Sequence, residues 1–143
     1  MIVLVDTSAW SILLRRAAKN LNSAESIIRT ELSELIREDR ARMIGPVRQE
    51  LLSGVRSEEQ FERLRDHLEA YADVDLGTHD YVEAARISNL CRAAGVAGSG
   101  VDFLICTVAM KHVWPIFTTD RDFVVYARHL PIHLHEPRKK FRP

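Results

Sequence analysis

The sequence has little of what marks several common classes of protein. It has only two cysteines, Cys91 and Cys106, which lie in apolar stretches and form no C-x-x-C pair. This pattern excludes a disulfide framework and a thiolate zinc site, and we expect two reduced core residues in a cytoplasmic protein. The longest apolar runs are too short to cross a bilayer, so no membrane association is expected. The first six residues contain no basic residue and end in Asp6, which does not resemble a secretory signal.

The sequence also lacks an excess of charge of either sign. Twenty basic residues balance 20 acidic ones, so a high isoelectric point cannot serve as an argument for nucleic-acid binding. The balance is uneven along the chain, because residues 111–143 hold seven basic and three acidic residues. Residues 138–142 alone hold four of these basic residues. By itself this basic tail, which starts at about residue 136, is expected to be a frayed, solvated end.

The remaining composition is that of a single globular domain. The chain has 143 residues, of which 46% are hydrophobic and 28% charged. This length matches one domain, which we take to span residues 1–143, and it supports a core without a disulfide or metal staple.

Short apolar runs alternate with helical patterns along the whole chain. An Asn22–Glu25 capping box opens a long amphipathic helix, and Thr78 is expected to cap a helix that runs to Ala94 and is followed by Gly95. Such alternation predicts an α/β domain with a mostly parallel sheet. The predicted strands are residues 2–5, 42–44, 72–76, 116–118 and 132–134, and helices are predicted at 8–16, 23–39, 45–53, 58–68, 78–94, 101–113 and 120–129.

Carboxylates follow several of these strands. Asp6 directly follows the first strand, and Asp120 follows the fourth. Glu50 lies early in the helix after the second strand, and Asp102 lies in the first turn of an apolar helix. Ligands of parallel sheets bind beyond the carboxyl ends of the strands, so we expect these acids to meet at one edge.

Each acid also has a purely structural explanation. Asp6 alone could cap the helix that begins near Ser8. The segments Ser99–Asp102 and Thr119–Asp122 both read as capping boxes. Glu50 could be an ordinary solvated helix residue.

The set of acids is more informative than its members. Four carboxylates at one edge repel each other and raise each other's pKa values unless a cation neutralises them. Mg²⁺ and Mn²⁺ are hard cations that prefer such oxygen ligands together with phosphate oxygens. The set therefore indicates a divalent-metal site that acts on a phosphodiester.

Four motifs follow each other along the chain: Val5–Ser8, Glu50–Gly54, Asp102–Thr107 and Thr118–Phe123. In this order and at this spacing they resemble the motifs of PIN domains, and most closely those of VapC-type toxins of toxin–antitoxin pairs. The resemblance covers essentially the whole chain and implies a three-layer α/β/α domain with a mostly parallel sheet of about five strands. Only Cys106 departs from it, at a helix-packing position where the family commonly has a small residue.

The resemblance also implies roles for individual residues. Four acids would be catalytic, three of them would hold the metal, and three further residues would support the site. The catalytic acids would be Asp6, Glu50, Asp102 and Asp120. Among them, the metal ligands would be Asp6, Asp102 and Asp120. The supporting residues would be Asp122, Thr118 and Ser8.

The activity implied by the resemblance is that of an Mg²⁺- or Mn²⁺-dependent endoribonuclease. Metal-activated water would cleave the RNA and leave a 5′-phosphate. Relatives cut tRNA or ribosomal RNA, and many form homodimers held by an antitoxin protein that blocks the acidic site. Candidate RNA contacts are Arg121, Arg15 and Arg16. Trp10 and Phe123 could stack on bases or simply pack in the core.

Other classes of protein fit the sequence less well than a PIN-domain nuclease. The alternative function is a PIN-like scaffold that binds RNA or protein without cleaving it. A phospho-acceptor receiver domain needs paired acids at the first strand, an Asp at the end of the third and a late lysine. Here one acid ends the first strand, Asp75 would have to serve in the third, and no lysine follows the fourth or fifth strand before the tail. A haloacid-dehalogenase-like phosphatase needs Asp-x-Asp where the chain reads Asp6-Thr7-Ser8.

Overall fold

The chain alternates short strands with helices, as its sequence pattern predicts. The computed structural model describes residues 1–138. Within them, four strands and seven helices follow each other, with a 3-10 turn after the first helix. The elements are β1 (Val3–Val5), α1 (Thr7–Leu14), α2 (Ser23–Arg37), β2 (Ala41–Ile44), α3 (Gly45–Leu52), α4 (Glu58–Leu68), β3 (Asp73–Val74), α5 (Thr78–Ala93), α6 (Gly100–His112), β4 (Ile116–Phe117) and α7 (Asp122–Tyr126).

All neighbouring strands of the sheet are parallel, in the order β3-β2-β1-β4. In the central strand, Leu4 pairs with Arg42 of β2 on one side and with Ile116 of β4 on the other. The predicted last strand is reduced to one bridge, between Leu134 and Ile116, which occupies the fifth position. The predicted fold class is therefore confirmed, although the strand predicted over 132–134 is too long.

The central strand is covered on both faces, as a parallel sheet requires. All three residues of β1 are fully buried. Helix α1 packs against α2 and α3, while α5 packs against α6. Trp10 and Phe123 are both fully buried, which identifies them as core residues and not as platforms for bases.

Several element ends differ from their predictions. The Asn22–Glu25 capping box forms as expected. Helix α5 is capped by Gly77 and not by Thr78, because the Asp80 carboxylate accepts a bond from the Gly77 amide at 2.8 Å. The helix predicted over 120–129 is only the five-residue α7, and the strand predicted over 72–76 is only Asp73–Val74.

The structure also describes the two cysteines and the apolar character of the helices. Cys91 and Cys106 are buried free thiols, and burial raises the pKa of each, which makes them unreactive. Among residues 1–138, no helix combines the length and the apolar character needed to cross a membrane.

The end of the described chain is held against α2, which corrects the expectation of a frayed tail at Arg138. Glu31 of α2 is only 3% exposed. Its carboxylate accepts bonds from the Arg138 amide at 2.7 Å and from Arg138 Nε at 2.8 Å, and it lies 3.2 Å from His135 Nε2. The Arg138 guanidinium also donates two bonds to Glu38. Residues 139–143 of the basic tail lie outside the described residues.

We predict that Glu31→Gln lowers the free energy of unfolding by about 2 kcal/mol, because an amide cannot replace a buried carboxylate that accepts charge-assisted bonds. Urea unfolding measures this difference. Glu34→Gln on the same helix is the matched control, because Glu34 pairs with Arg37 only at the surface. Equal stability of the two variants would contradict the prediction.

The effect of Glu31→Gln on stability should also depend on pH. Burial raises the pKa of Glu31, but the bonds from Arg138 and His135 outweigh it and hold this pKa below the ordinary value of 4.5. A lowered carboxylate pKa stabilises the fold above the unfolded-state pKa, and this contribution disappears as the pH falls through the folded-state pKa. The stability difference between the wild type and Glu31→Gln should therefore shrink in acid.

Candidate active site

Asp6 stands between the ends of the two neighbouring strands β1 and β4. It is 5% exposed and caps α1, with the Ser8 amide 3.4 Å from Oδ2. The same oxygen accepts bonds from Ser8 Oγ and Thr118 Oγ1, both at 2.8 Å. The capping explanation is therefore correct but incomplete. Within residues 1–138, Asp6 Oδ1 receives no bond from the protein, so one oxygen of a buried carboxylate is left for a ligand.

The segment after β4 is folded around Thr118. The hydroxyl of Thr118 accepts a bond from the Asp120 amide at 3.0 Å, and Ser8 Oγ accepts one from the Thr119 amide at 2.9 Å. The Asp120 carboxylate then accepts a bond from the Asp122 amide at 2.9 Å. The predicted capping box of Thr119–Asp122 is therefore wrong: Asp120, not Thr119, bonds this amide.

Asp102 reaches the same edge from the first turn of α6. Its amide donates to Ser99 Oγ at 3.1 Å, as the predicted capping box requires. Its carboxylate instead accepts a 2.7 Å bond from the hydroxyl of Tyr126 in α7. The backbone amide of Asp102 therefore takes part in the cap of α6, whereas its carboxylate contacts α7.

Three carboxylates, those of Asp102, Asp120 and Asp122, converge at this edge of the sheet, which we call the acidic edge. Oxygens of Asp102, Asp120 and Asp122 lie within 4.8 Å of one another. Burial raises the pKa of Asp102, and the charges of Asp6 and Asp120 raise it further; the bonds from Tyr126 and Ser99 oppose these effects without cancelling them. This crowding of like charges favours a cation.

Glu50 lies at the margin of this group. It is exposed on α3, and its Oε1 accepts a 2.9 Å bond from Thr7 Oγ1 at the start of α1. This bond ties α3 to the residue next to Asp6. Glu50 is not among the three carboxylates that converge, so its predicted role stays a prediction.

The predicted RNA contacts differ in their surroundings. Arg121 is exposed between Asp120 and Asp122. Arg15 is exposed at the end of α1, whereas Arg16 forms an ion pair with Glu25. Arg15 and Arg121 are therefore more available to a phosphate than Arg16.

The donor set suits a divalent metal ion. It consists only of carboxylate oxygens, with the hydroxyls of Ser8 and Thr118 behind Asp6, and it includes neither histidine nor cysteine. Oxygen-only sets are typical of Mg²⁺ and Mn²⁺ and not of zinc. Asp102, Asp120 and Asp122 are the carboxylates whose oxygens lie close enough together to hold one ion. Asp6, a predicted metal ligand, is not among these three, so its role at the metal stays a prediction.

Solved structures share this fold. FitAcB from Neisseria gonorrhoeae matches with a TM-score of 0.73 at 20% identity, over 95% of this chain and 98% of that one. VapBC2 from Rickettsia felis, bound to a DNA fragment from its promoter, gives 0.70 at 18%, over 94% and 98%. VapBC-1 from nontypeable Haemophilus influenzae gives 0.69 at 17%, over 95% and 98%. A search of curated proteins finds no match.

The topology and the acidic edge define an α/β/α domain with its site beyond the carboxyl ends of parallel strands. The PIN domain family matches residues 3–129, and the chain belongs to that family. The family resemblance drawn from the four motifs is thereby confirmed. The structural neighbours named VapBC are of the type that those motifs resemble.

Two residues of the site, Tyr126 and Gly98, were not predicted from the sequence. The hydroxyl of Tyr126 bonds Asp102, and its ring packs against Phe103 and Phe123 with centroids 5.2 Å away in each case. Gly98 makes room for this ring, because a Cβ there would lie 2.9 Å from Tyr126 Cζ and 3.0 Å from Phe103 Cε2. The only signal in the sequence was a glycine in the loop before α6, with no indication of what approaches it.

We predict that Tyr126→Phe raises the pKa of Asp102 further, because the bond that favours its charged form is lost while the ring packing stays. Carboxyl-detected NMR titration of the metal-free protein measures this pKa. Tyr81→Phe, at an exposed tyrosine of α5, is the matched control and should leave it unchanged. An unchanged pKa in Tyr126→Phe would refute the role of the hydroxyl.

Gly98→Ala should displace the Tyr126 ring and lower the free energy of unfolding by about 1–3 kcal/mol through overpacking. It should also raise the pKa of Asp102, as loss of the hydroxyl does. Gly100→Ala is the control, because a Cβ there meets no atom within 4 Å. Chemical denaturation compares the two variants, and equal stability would show that Tyr126 does not need the space at Gly98.

Proposed function

We propose that this PIN domain is the toxin of a toxin–antitoxin pair and acts as a divalent-metal-dependent endoribonuclease. The observation that carries the proposal is the convergence of Asp102, Asp120 and Asp122 beside the buried Asp6. Family membership adds to it, because PIN domains are generally nucleases.

Asp6, Asp102 and Asp120 are proposed to hold Mg²⁺ or Mn²⁺, with Asp122 as an auxiliary ligand. When bound, such an ion lowers the pKa of a coordinated water and neutralises charge on a phosphate. The protein's own contribution is to fix the carboxylates before the ion arrives. Ser8 and Thr118 orient Asp6 through one of its oxygens, and Tyr126 orients Asp102.

Glu50 and Arg121 are proposed to act at the margins of this centre. Glu50 is catalytic by family resemblance, and its bond to Thr7 holds it beside the start of α1. Arg121 stands between two acids of the group, where its charge can meet a phosphate of the RNA.

We propose tRNA or ribosomal RNA as the substrate, by the same family resemblance. The same resemblance supports a homodimer in the cytoplasm and a single domain over residues 1–143. An antitoxin partner draws further support from the structural neighbours FitAcB, VapBC2 and VapBC-1, because their names denote complexes. VapBC2 is also bound to a DNA fragment from its promoter.

We predict that Asp120→Asn reduces RNA cleavage by at least about two orders of magnitude, because the substitution removes a carboxylate that would hold the metal ion, and with it the positive charge that would stabilise the reacting phosphate. Cleavage of labelled RNA in Mn²⁺ measures the effect, and EDTA should abolish cleavage by the wild type. Asp39→Asn is a matched control: Asp39 is exposed, and its backbone has φ 55°, which asparagine tolerates.

Circular dichroism of both variants verifies that the fold is retained. Cleavage that persists in Asp120→Asn and in EDTA would remove the acids from the mechanism. Calorimetric titration with Mn²⁺ tests the alternative of a non-catalytic scaffold, since a wild-type protein that binds no metal and cleaves no RNA would support that alternative.

A further inference from the structure

A groove of about 620 Å³ lies at the opposite end of α1 from Asp6. The end of α1, the loop between α3 and α4, and one face of α4 form its walls. We call it the basic groove and define it by residues 13–15, 54–56, 60, 63, 64 and 67. It is open to solvent, and three elements of the chain contribute to it.

The lining of the basic groove carries positive charge only. Within residues 1–138, Arg15, Arg56 and Arg63 line it beside the imidazole of His67, whereas no aspartate or glutamate does. Helix α4 has four acids, at positions 58, 59, 62 and 66, yet its groove-facing residues are 60, 63, 64 and 67. These four positions form one helical face, so the helix turns its acids away from the groove.

The arginines of the groove are available to a ligand. Arg15 and Arg56 are exposed, and neither forms an ion pair within residues 1–138. Arg63 pairs with Glu59 at 2.9 Å, and both side chains are more than 70% exposed. An exposed pair of this kind exchanges easily for a phosphate.

The basic groove is close to the acidic edge. Helix α1 runs between them, from Thr7, which bonds Glu50, to Leu14, which lines the groove. At 1.5 Å per residue, that helix spans roughly 10 Å. Gly54, at the groove, follows Glu50 by only four residues. One extended strand of nucleic acid can therefore reach both places.

We propose that the basic groove binds the phosphate backbone of single-stranded RNA next to the cleaved phosphate; this inference rests on the proposed nuclease function. Among the residues that the structure describes, the lining includes no Phe, Tyr or Trp, so it offers no such aromatic platform on which successive bases stack. Contacts to phosphates fix the position of a strand without reading its sequence. The groove accordingly contributes affinity and direction, and not sequence preference.

The test measures binding separately from cleavage. The full chain is titrated in EDTA against fluorescein-labelled oligouridylate, and fluorescence anisotropy is followed at several salt concentrations. Arg15→Gln/Arg56→Gln should weaken binding about tenfold at low salt. The slope of log K against log salt should fall by about 1.4, since each phosphate contact to a single strand contributes about 0.7.

The matched control is Arg29→Gln/Arg92→Gln, which removes the same charge outside the groove. It should bind almost as the wild type does, and Arg15→Lys/Arg56→Lys should retain most of the salt slope. Equal losses in the two glutamine variants would overturn the proposal. So would polyglutamate that displaces oligouridylate at equal or lower concentration, because the groove would then be a site for an acidic peptide.

The two proposals fail in different ways. A wild type that binds oligouridylate through the groove but cleaves no RNA in Mn²⁺ refutes the nuclease function and leaves the RNA groove. A wild type that cleaves RNA, while Arg15→Gln/Arg56→Gln binds with unchanged affinity and salt slope, refutes the groove alone.

Discussion

The acidic edge depends on the parallel pairing of β1 with β4. The pairing of Leu4 with Ile116, continued by the bond from the Asp6 amide to the Phe117 carbonyl, fixes the register at which both strands end. That register sets Asp6 and Thr118 side by side although 111 residues lie between them in the chain. Neutral donors at this point make it possible to bury one carboxylate among others, because they stabilise its charge without a counter-ion.

Much of this arrangement was predictable from the sequence, for identifiable reasons. Apolar runs and capping residues are local signals, and they predicted the α/β alternation and the acids at the strand ends. The site's finer contacts depend on residues that are distant along the chain. The bond of Tyr126 to Asp102 and the contact of Arg138 with Glu31 arise only when α7 and the end of the chain settle against α6 and α2. The last strand was overestimated, because apolar residues at 132 and 134 predict burial but not the length of pairing.

The zero net charge conceals a strong separation of charge over the surface. Carboxylates gather where parallel strands end, and arginines line a groove at the far end of α1. Helix α4 shows the same separation on a smaller scale, since one face carries its acids and another faces the groove. A polyanion approaching this protein would meet attraction at the groove first and repulsion at the acids, unless cations were bound there.

The contact between Glu31 and Arg138 has a practical consequence for protein engineering. The buried carboxylate uses the backbone amide of Arg138 as well as its guanidinium, so substituting the side chain removes only part of the contact, whereas cutting the chain ahead of this position removes all of it. Affinity tags and fusion partners therefore belong downstream of residue 138, where they leave both donors in place.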